Sequence, residues 1–145
     1  MKNLYLSIAL LLIVSALIPQ NACGQTTPTV AEVNSFIKSN QFLITYREGE
    51  VLYGTYYFVE VHYCASGSYK LFGKSIKRTV LDNEQHNNWQ EYGNWKVIDY
   101  NGTVGIYYKT TLAQEKFFPV YRLANGDFSI GEGVTIVKKG KAICN

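Results

Sequence analysis

Residues 51–63 read Val-Leu-Tyr-Gly-Thr-Tyr-Tyr-Phe-Val-Glu-Val-His-Tyr, and this stretch decides the fold class. Side chains of a strand alternate between two faces with a period of two. The odd positions, Val51, Tyr53, Thr55, Tyr57, Val59, Val61 and Tyr63, make one continuous apolar row. The even positions, Leu52, Gly54, Tyr56, Phe58, Glu60 and His62, begin apolar and end polar. The run is long for one strand, so a bulge or bend is expected at Gly54.

Working outward, residues 42–46 form a β-branched and aromatic strand, and Glu48-Gly49 reads as a two-residue turn. Downstream, Ala65-Ser66-Gly67 is a turn, followed by two short strands at 68–72 and 75–80. Residues 81–88 are polar and aperiodic, which predicts a loop, extending to about residue 92. Strands follow at 94–100 and 103–110 about Asn101-Gly102, the strongest hairpin signal in the chain. A strand at 117–123 carries Pro119, which suits an edge or a bulge. Asn125-Gly126 then turns the chain into strands at 127–130 and 134–139. Before the strands, Thr29-Val30-Ala31-Glu32 has the form of a capping box, and Val30, Val33 and Ile37 follow at helical spacing. This predicts an amphipathic helix of about 10 residues.

The expected fold is all-β: an antiparallel meander closing into a small barrel, or alternatively a two-sheet sandwich, with one short N-terminal helix. The barrel is the favoured form, because closure removes edges that invite aggregation. The chain divides into a signal peptide (1–24), a tether with the helix (25–41) and an antiparallel β domain (42–145).

The first segment has Lys2 as its positive end, an apolar run over residues 4–18, and a break at Pro19-Gln20. That is the layout of a secretory signal peptide, too short to span a bilayer. Ala22-Cys23-Gly24 offers small residues for cleavage before Gln25; alternatively, Cys23 is the lipidated cysteine of a bacterial lipoprotein. The expected location is periplasmic or extracellular, with a lipid anchor under the second alternative. Either removes Cys23 from the folded domain. Cys64 and Cys144 are then a pair in an oxidising compartment, which predicts a disulfide over two separate thiols.

The chain has 145 residues, 47% hydrophobic, 17% charged and 14% aromatic, which excludes disorder. A net charge of +3, with scattered Lys and Arg, does not mark a nucleic-acid partner. Nearly all the aromatic residues lie beyond residue 24, as a compact β core requires.

The Gly-bounded hairpins, the N-terminal helix and Gly93-Asn94-Trp95 together resemble lipocalin-like small β-barrel domains of exported bacterial proteins. The resemblance implies a barrel architecture. In lipocalins the Gly-x-Trp motif lies on the first strand; here it lies mid-chain, so its role is not carried over. Fold likeness does not itself license a function.

Phosphate-binding loops, nucleophile elbows and zinc-protease motifs are absent from the sequence. Glu60 and His62 share a strand face, as an acid–base pair or a half-built metal site would, or as a solvated outer face. A metal needs a third ligand and none lies near in sequence, so neither metal nor cofactor is expected. The 82–86 stretch has oxygen ligands for a cation but not the spacing of a calcium loop. Tyr56 and Phe58 line a pocket if they face a barrel interior; otherwise such side chains fill the core. Trp89 is placed at the mouth of that pocket. The expected function is an exported non-catalytic binding module for a small apolar or sugar-like ligand, using Tyr56, Phe58, Glu60, His62 and Trp89. The alternative is an envelope protein-interaction module that contacts a partner through Glu84, His86 and Trp89 of the 81–92 loop. An enzyme reading requires Glu60 and His62 to meet another polar group in a cleft.

Overall fold

The computed structural model describes residues 26–50, 53–79 and 83–144. The signal segment, Cys23, Val51, Leu52 and the start of the 81–92 stretch lie outside the described residues. Helix α1 (Val30–Ile37) is followed by β1 (Asn40–Glu48), β2 (Thr55–Tyr63), β3 (Ser68–Arg78), β4 (Glu84–Tyr100), β5 (Thr103–Thr110) and β6 (Glu115–Pro119). Three further strands end the chain: β7 (Tyr121–Arg122), β8 (Phe128–Ser129) and β9 (Thr135–Lys141).

The fold is all-β, with two antiparallel sheets and one N-terminal helix. The larger sheet has seven strands in the order β6-β5-β4-β3-β2-β1-β9; the smaller pairs β7 with β8. The expected meander is therefore present, and the two-sheet alternative describes it. The closed barrel does not form. The edges β6 and β9 do not pair: beyond β6 the Val120 N–H still bonds to the Val104 carbonyl of β5 at 2.9 Å, and the chain then spends residues 121–129 on the small hairpin. That hairpin and α1 pack on one face of the large sheet instead of extending it.

α1 begins as read from the sequence. The Glu32 backbone N–H donates to Thr29 Oγ1 at 3.2 Å, and the Thr29 N–H donates to Glu32 Oε2 at 2.8 Å. Arg122 of β7 forms an ion pair with Glu32 at 2.5 Å, tying the helix to the small sheet. Val33 and Ile37 are buried, and Phe36 stacks at a tilt between Phe42 of β1 and Phe128 of β8. Eight residues of helix are too few to stand alone, so this packing is what holds α1.

Three local expectations change. Glu48-Gly49 is not a two-residue turn: Glu48 pairs with Thr55, and the strand expected over 51–63 begins only at Thr55. Gly54 stands just before it, where a Cβ would come within 2.6 Å of the Glu50 carbonyl oxygen. The two short strands about Gly73 are one strand, β3, and the loop expected over 81–92 is mostly the first half of β4. Eleven register pairs with β3, from Ser68 opposite Asn94 to Arg78 opposite Glu84, give this polar sequence a ladder. Pairing, rather than an apolar face, makes it a strand, and propensity alone does not show that. The Asn101-Gly102 turn holds as read: both residues have positive φ, 53° and 82°, as a type I′ hairpin turn requires.

The core lies between the inner face of the large sheet and the α1/β7–β8 layer. It contains Phe42, Val59, Val61, Tyr63, Tyr69, Trp95, Val104, Ile106, Tyr108 and Val120. Fully burying a large apolar side chain contributes about 1.5–3 kcal/mol each. Cys64 and Cys144 are bonded, with Cα atoms 5.7 Å apart, as expected from the sequence. The closed loop spans 80 residues of separation, for which chain entropy gives roughly 4–5 kcal/mol at most.

Candidate functional site

Strand alternation sorts the candidate residues by face. On β2, Tyr57, Val59, Val61 and Tyr63 face the core, and Tyr56, Phe58, Glu60 and His62 face the other way. Tyr56 and Phe58 thus do not line the interior of the sheet. Phe58 is exposed and borders a broad outer groove with Leu43, Glu60, Phe72, Lys74 and Gln90. Tyr56 lies beneath the guanidinium of Arg78 at 5.4 Å.

His62 is on the outer face yet only 3% exposed, because the disulfide-tethered C-terminal segment covers it. Its Nδ1 accepts the Ile143 backbone N–H at 3.0 Å, and its Nε2 lies 2.8 Å from Glu60 Oε1. That network assigns the Nε2–H tautomer, with Glu60 as acceptor. Both ring nitrogens are committed, and Phe72 meets the ring edge-on at 6.0 Å. Glu60 and His62 therefore meet a backbone amide and an aromatic ring, a structural clasp for the C-terminal segment. Among the described residues, no group of three His, Cys, Asp or Glu side chains could hold a metal ion.

The expected partner set is also split by the pleat. Glu84 and His86 are on the outer face of β4, exposed, 3.4 Å apart, with Arg78 3.2 Å from Glu84. Trp89 is on the inner face, packed across Gly73 and edge-on to Tyr57 at 6.3 Å.

Trp89 opens onto a concavity of about 470 Å³ on the inner face. Ile44 of β1, Val59 of β2, Leu71 of β3, Ile106 of β5, Phe118 of β6 and Val134 give it an apolar wall. Flat strands repeat at about 4.8 Å, so β1 and β6 would lie roughly 24 Å apart in a flat sheet. Their sharing of one cavity shows how strongly the open sheet curls.

A polar cluster is set into this wall. Glu91 of β4 accepts from the Tyr69 hydroxyl at 2.6 Å and forms an ion pair with Lys116 of β6 at 2.5 Å. The Glu91 side chain is 21% exposed and that of Lys116 40%, and both line the cavity. Tyr108, also in the lining, is hydrogen-bonded through its hydroxyl to Tyr63. Burial holds the Tyr108 phenol well above the usual range, reinforced by Tyr63. Burial, with Glu91 adding to it, does the same for Tyr69. These hydroxyls are neutral donors and acceptors at ordinary pH.

Glu91 and Lys116 were not among the residues singled out from sequence. The signal was present: once β4 is one strand, Trp89, Glu91, Gly93, Trp95 and Val97 share a face, and Glu91 is the lone charge in that row. Lys116 shares a face with Phe118 in the same way.

Comparison of this chain with known protein families, with curated proteins and with solved structures finds no match.

Proposed function

We propose that this protein is an exported, non-catalytic binding module that holds a small, largely apolar molecule in the cavity on the inner face of its curled sheet. The observation that carries this reading is the cavity itself: half-enclosed, about 470 Å³, apolar-walled and set with a few convergent polar groups. Small-molecule sites have that composition. Export is supported by the signal-like segment at residues 1–24 and by the Cys64–Cys144 disulfide, since such bonds persist in oxidising compartments. A lipocalin-like relationship is supported by the meander order, while the open sheet departs from it.

The test is titration with N-phenyl-1-naphthylamine, a neutral apolar fluorophore, reading energy transfer from Trp89. Saturable binding that a Val134→Trp substitution abolishes, with unchanged circular dichroism, supports the reading. Binding that is absent, or indifferent to Val134→Trp, sinks it. Expression of the full chain in a secreting bacterium, followed by intact-mass measurement, tests export and separates cleavage from lipidation at Cys23.

A second reading, contact with an envelope protein, is favoured by a different observation. β5 pairs with β4 only from Gly93 to Tyr100, and the Thr111 N–H reaches the Tyr92 carbonyl, so among the described strands Glu84–Glu91 is paired on one side only. Such an edge accepts an added strand. Under this reading, replacing Glu84 and His86 leaves folding intact and abolishes recovery of a partner; unchanged recovery argues against it.

A further inference from the structure

Within the polar cluster of the cavity wall the charges cancel; the third charged group of the lining, Glu48, is exposed and accepts from the Tyr57 hydroxyl at 3.0 Å. Lys116 and Glu91 are 2.5 Å apart, and the other polar groups of the cluster are the neutral hydroxyls of Tyr69 and Tyr108. An ionised ligand group would bring net charge into a half-enclosed apolar space, attracted by one member of the pair and repelled by the other. A carboxylate that took Lys116 for itself would leave Glu91 with Tyr69 alone. Breaking a partly buried pair is costly, because the abandoned charge keeps its desolvation penalty.

An uncharged group avoids that cost. An ammonium has three N–H donors and a carboxylate about four acceptor positions. The Glu91–Lys116 contact uses one donor, and Glu91 takes Tyr69 and Lys116 on different oxygens. A primary amide can give its N–H to Glu91 and accept from Lys116 with the ion pair intact.

We propose that the cavity selects molecules with an uncharged polar end carrying both a donor and an acceptor, an amide or an alcohol on an apolar body, and that the juxtaposed Glu91 and Lys116 read that end. This rests on the ligand-binding reading above and adds the charge class of the ligand and the residues that set it.

The experiment compares octanamide, octanol, octanoate and octylammonium by isothermal titration calorimetry at pH 7 with the full domain. Octanamide and octanol are expected to bind about tenfold or more tightly than either ion. Glu91→Gln, which leaves Lys116 unopposed, shifts preference toward octanoate by about tenfold; Lys116→Met shifts it toward octylammonium. Octanoate or octylammonium binding as tightly as octanamide to the unaltered protein overturns the charge selectivity while leaving the cavity reading standing. Failure of all four to bind, together with failure of the naphthylamine probe, overturns both.

Discussion

The indole of Trp89 lies across Gly73, its directly opposed neighbour in the β3–β4 ladder, so closely that a Cβ on Gly73 would sit 2.0 Å from the ring. Glycine is required there by the ring, not by a turn: the position is mid-strand. The ring covers the gap that the glycine leaves and walls the cavity. Gly73→Ala is therefore expected to push Trp89 off its seat, costing about 1–3 kcal/mol by overpacking. Urea denaturation measures the loss, and a changed Trp emission maximum reports the displaced ring. An unchanged midpoint and spectrum would show that Trp89 does not rest on Gly73.

The C-terminal segment is held by the Cys64–Cys144 bond, by the Ile143 N–H to His62 Nδ1 bond at 3.0 Å and, next to β9, by the Ala142 N–H to Ser39 carbonyl bond at 3.1 Å. The covalent tie brings the second of these into reach. Cys144→Ser is expected to lower stability by about 2–5 kcal/mol and to speed exchange of the Ile143 amide. His62→Phe, which fills the site but offers no acceptor, should speed the Ile143 exchange with the disulfide intact. Exchange unaffected by either change would remove His62 from this role.

The distribution of what the sequence revealed follows from where its information is local. The capping box at Thr29 and Glu32, the Asn101-Gly102 turn and the apolar row of β2 from Thr55 to Tyr63 are each written within a few residues, and each appears as read. Glu84 to Asn88 form a strand only because β3 pairs with them, a partner that no local pattern names. The phase of β2 was legible, but which face would be inner depended on where α1 and the β7–β8 hairpin pack. That choice put Tyr56 and Phe58 outside and Glu91 within. The Glu91–Lys116 pair joins residues 25 apart in sequence, from strands separated by β5. Closure likewise turned on the hairpin beyond β6, not on the strand count.

Acid should loosen the helix before the sheet. Hydrogen bonds from the Thr29 backbone and side chain, then Arg122, hold the Glu32 carboxyl below its ordinary value of 4.5. A folded-state value below the unfolded one contributes stability above the unfolded value, and that contribution is lost as pH falls through the lowered folded value. Amide exchange across α1 is expected to quicken as pH falls below about 4.5, corrected for intrinsic rates, while β2 and β3 stay protected. Glu32→Gln should remove this acid step. If α1 protection in the unaltered protein is flat down to pH 3, the Glu32 link to Arg122 does not hold the helix in solution.

Alkali should act through the tyrosine cluster in the core. Tyr63 and Tyr108 share a hydroxyl–hydroxyl bond, and the Tyr69 ring meets Tyr108 edge-on at 5.0 Å. Burial is the first cause that raises all three phenols above their ordinary value of 10.0; Glu91 adds to it at Tyr69 and Tyr63 at Tyr108. The folded chain thus keeps these protons at pH values where the unfolded chain has released them. By linkage, the unfolded state binds fewer protons above about pH 10, so stability falls as pH rises; below about pH 10 the contribution is fully present. The urea midpoint is expected to be level from pH 8 to about pH 9.5 and to decline steeply above about pH 10. Absorbance at 295 nm should show a late fraction of tyrosines that ionise only as the protein unfolds. Tyr63→Phe removes one such proton; it should lower stability at pH 8 by about 1 kcal/mol, through the lost partner of Tyr108, yet flatten the alkaline decline. A midpoint that stays level through pH 11, or tyrosines that all ionise together while the fold persists, would show that the cluster is open to water.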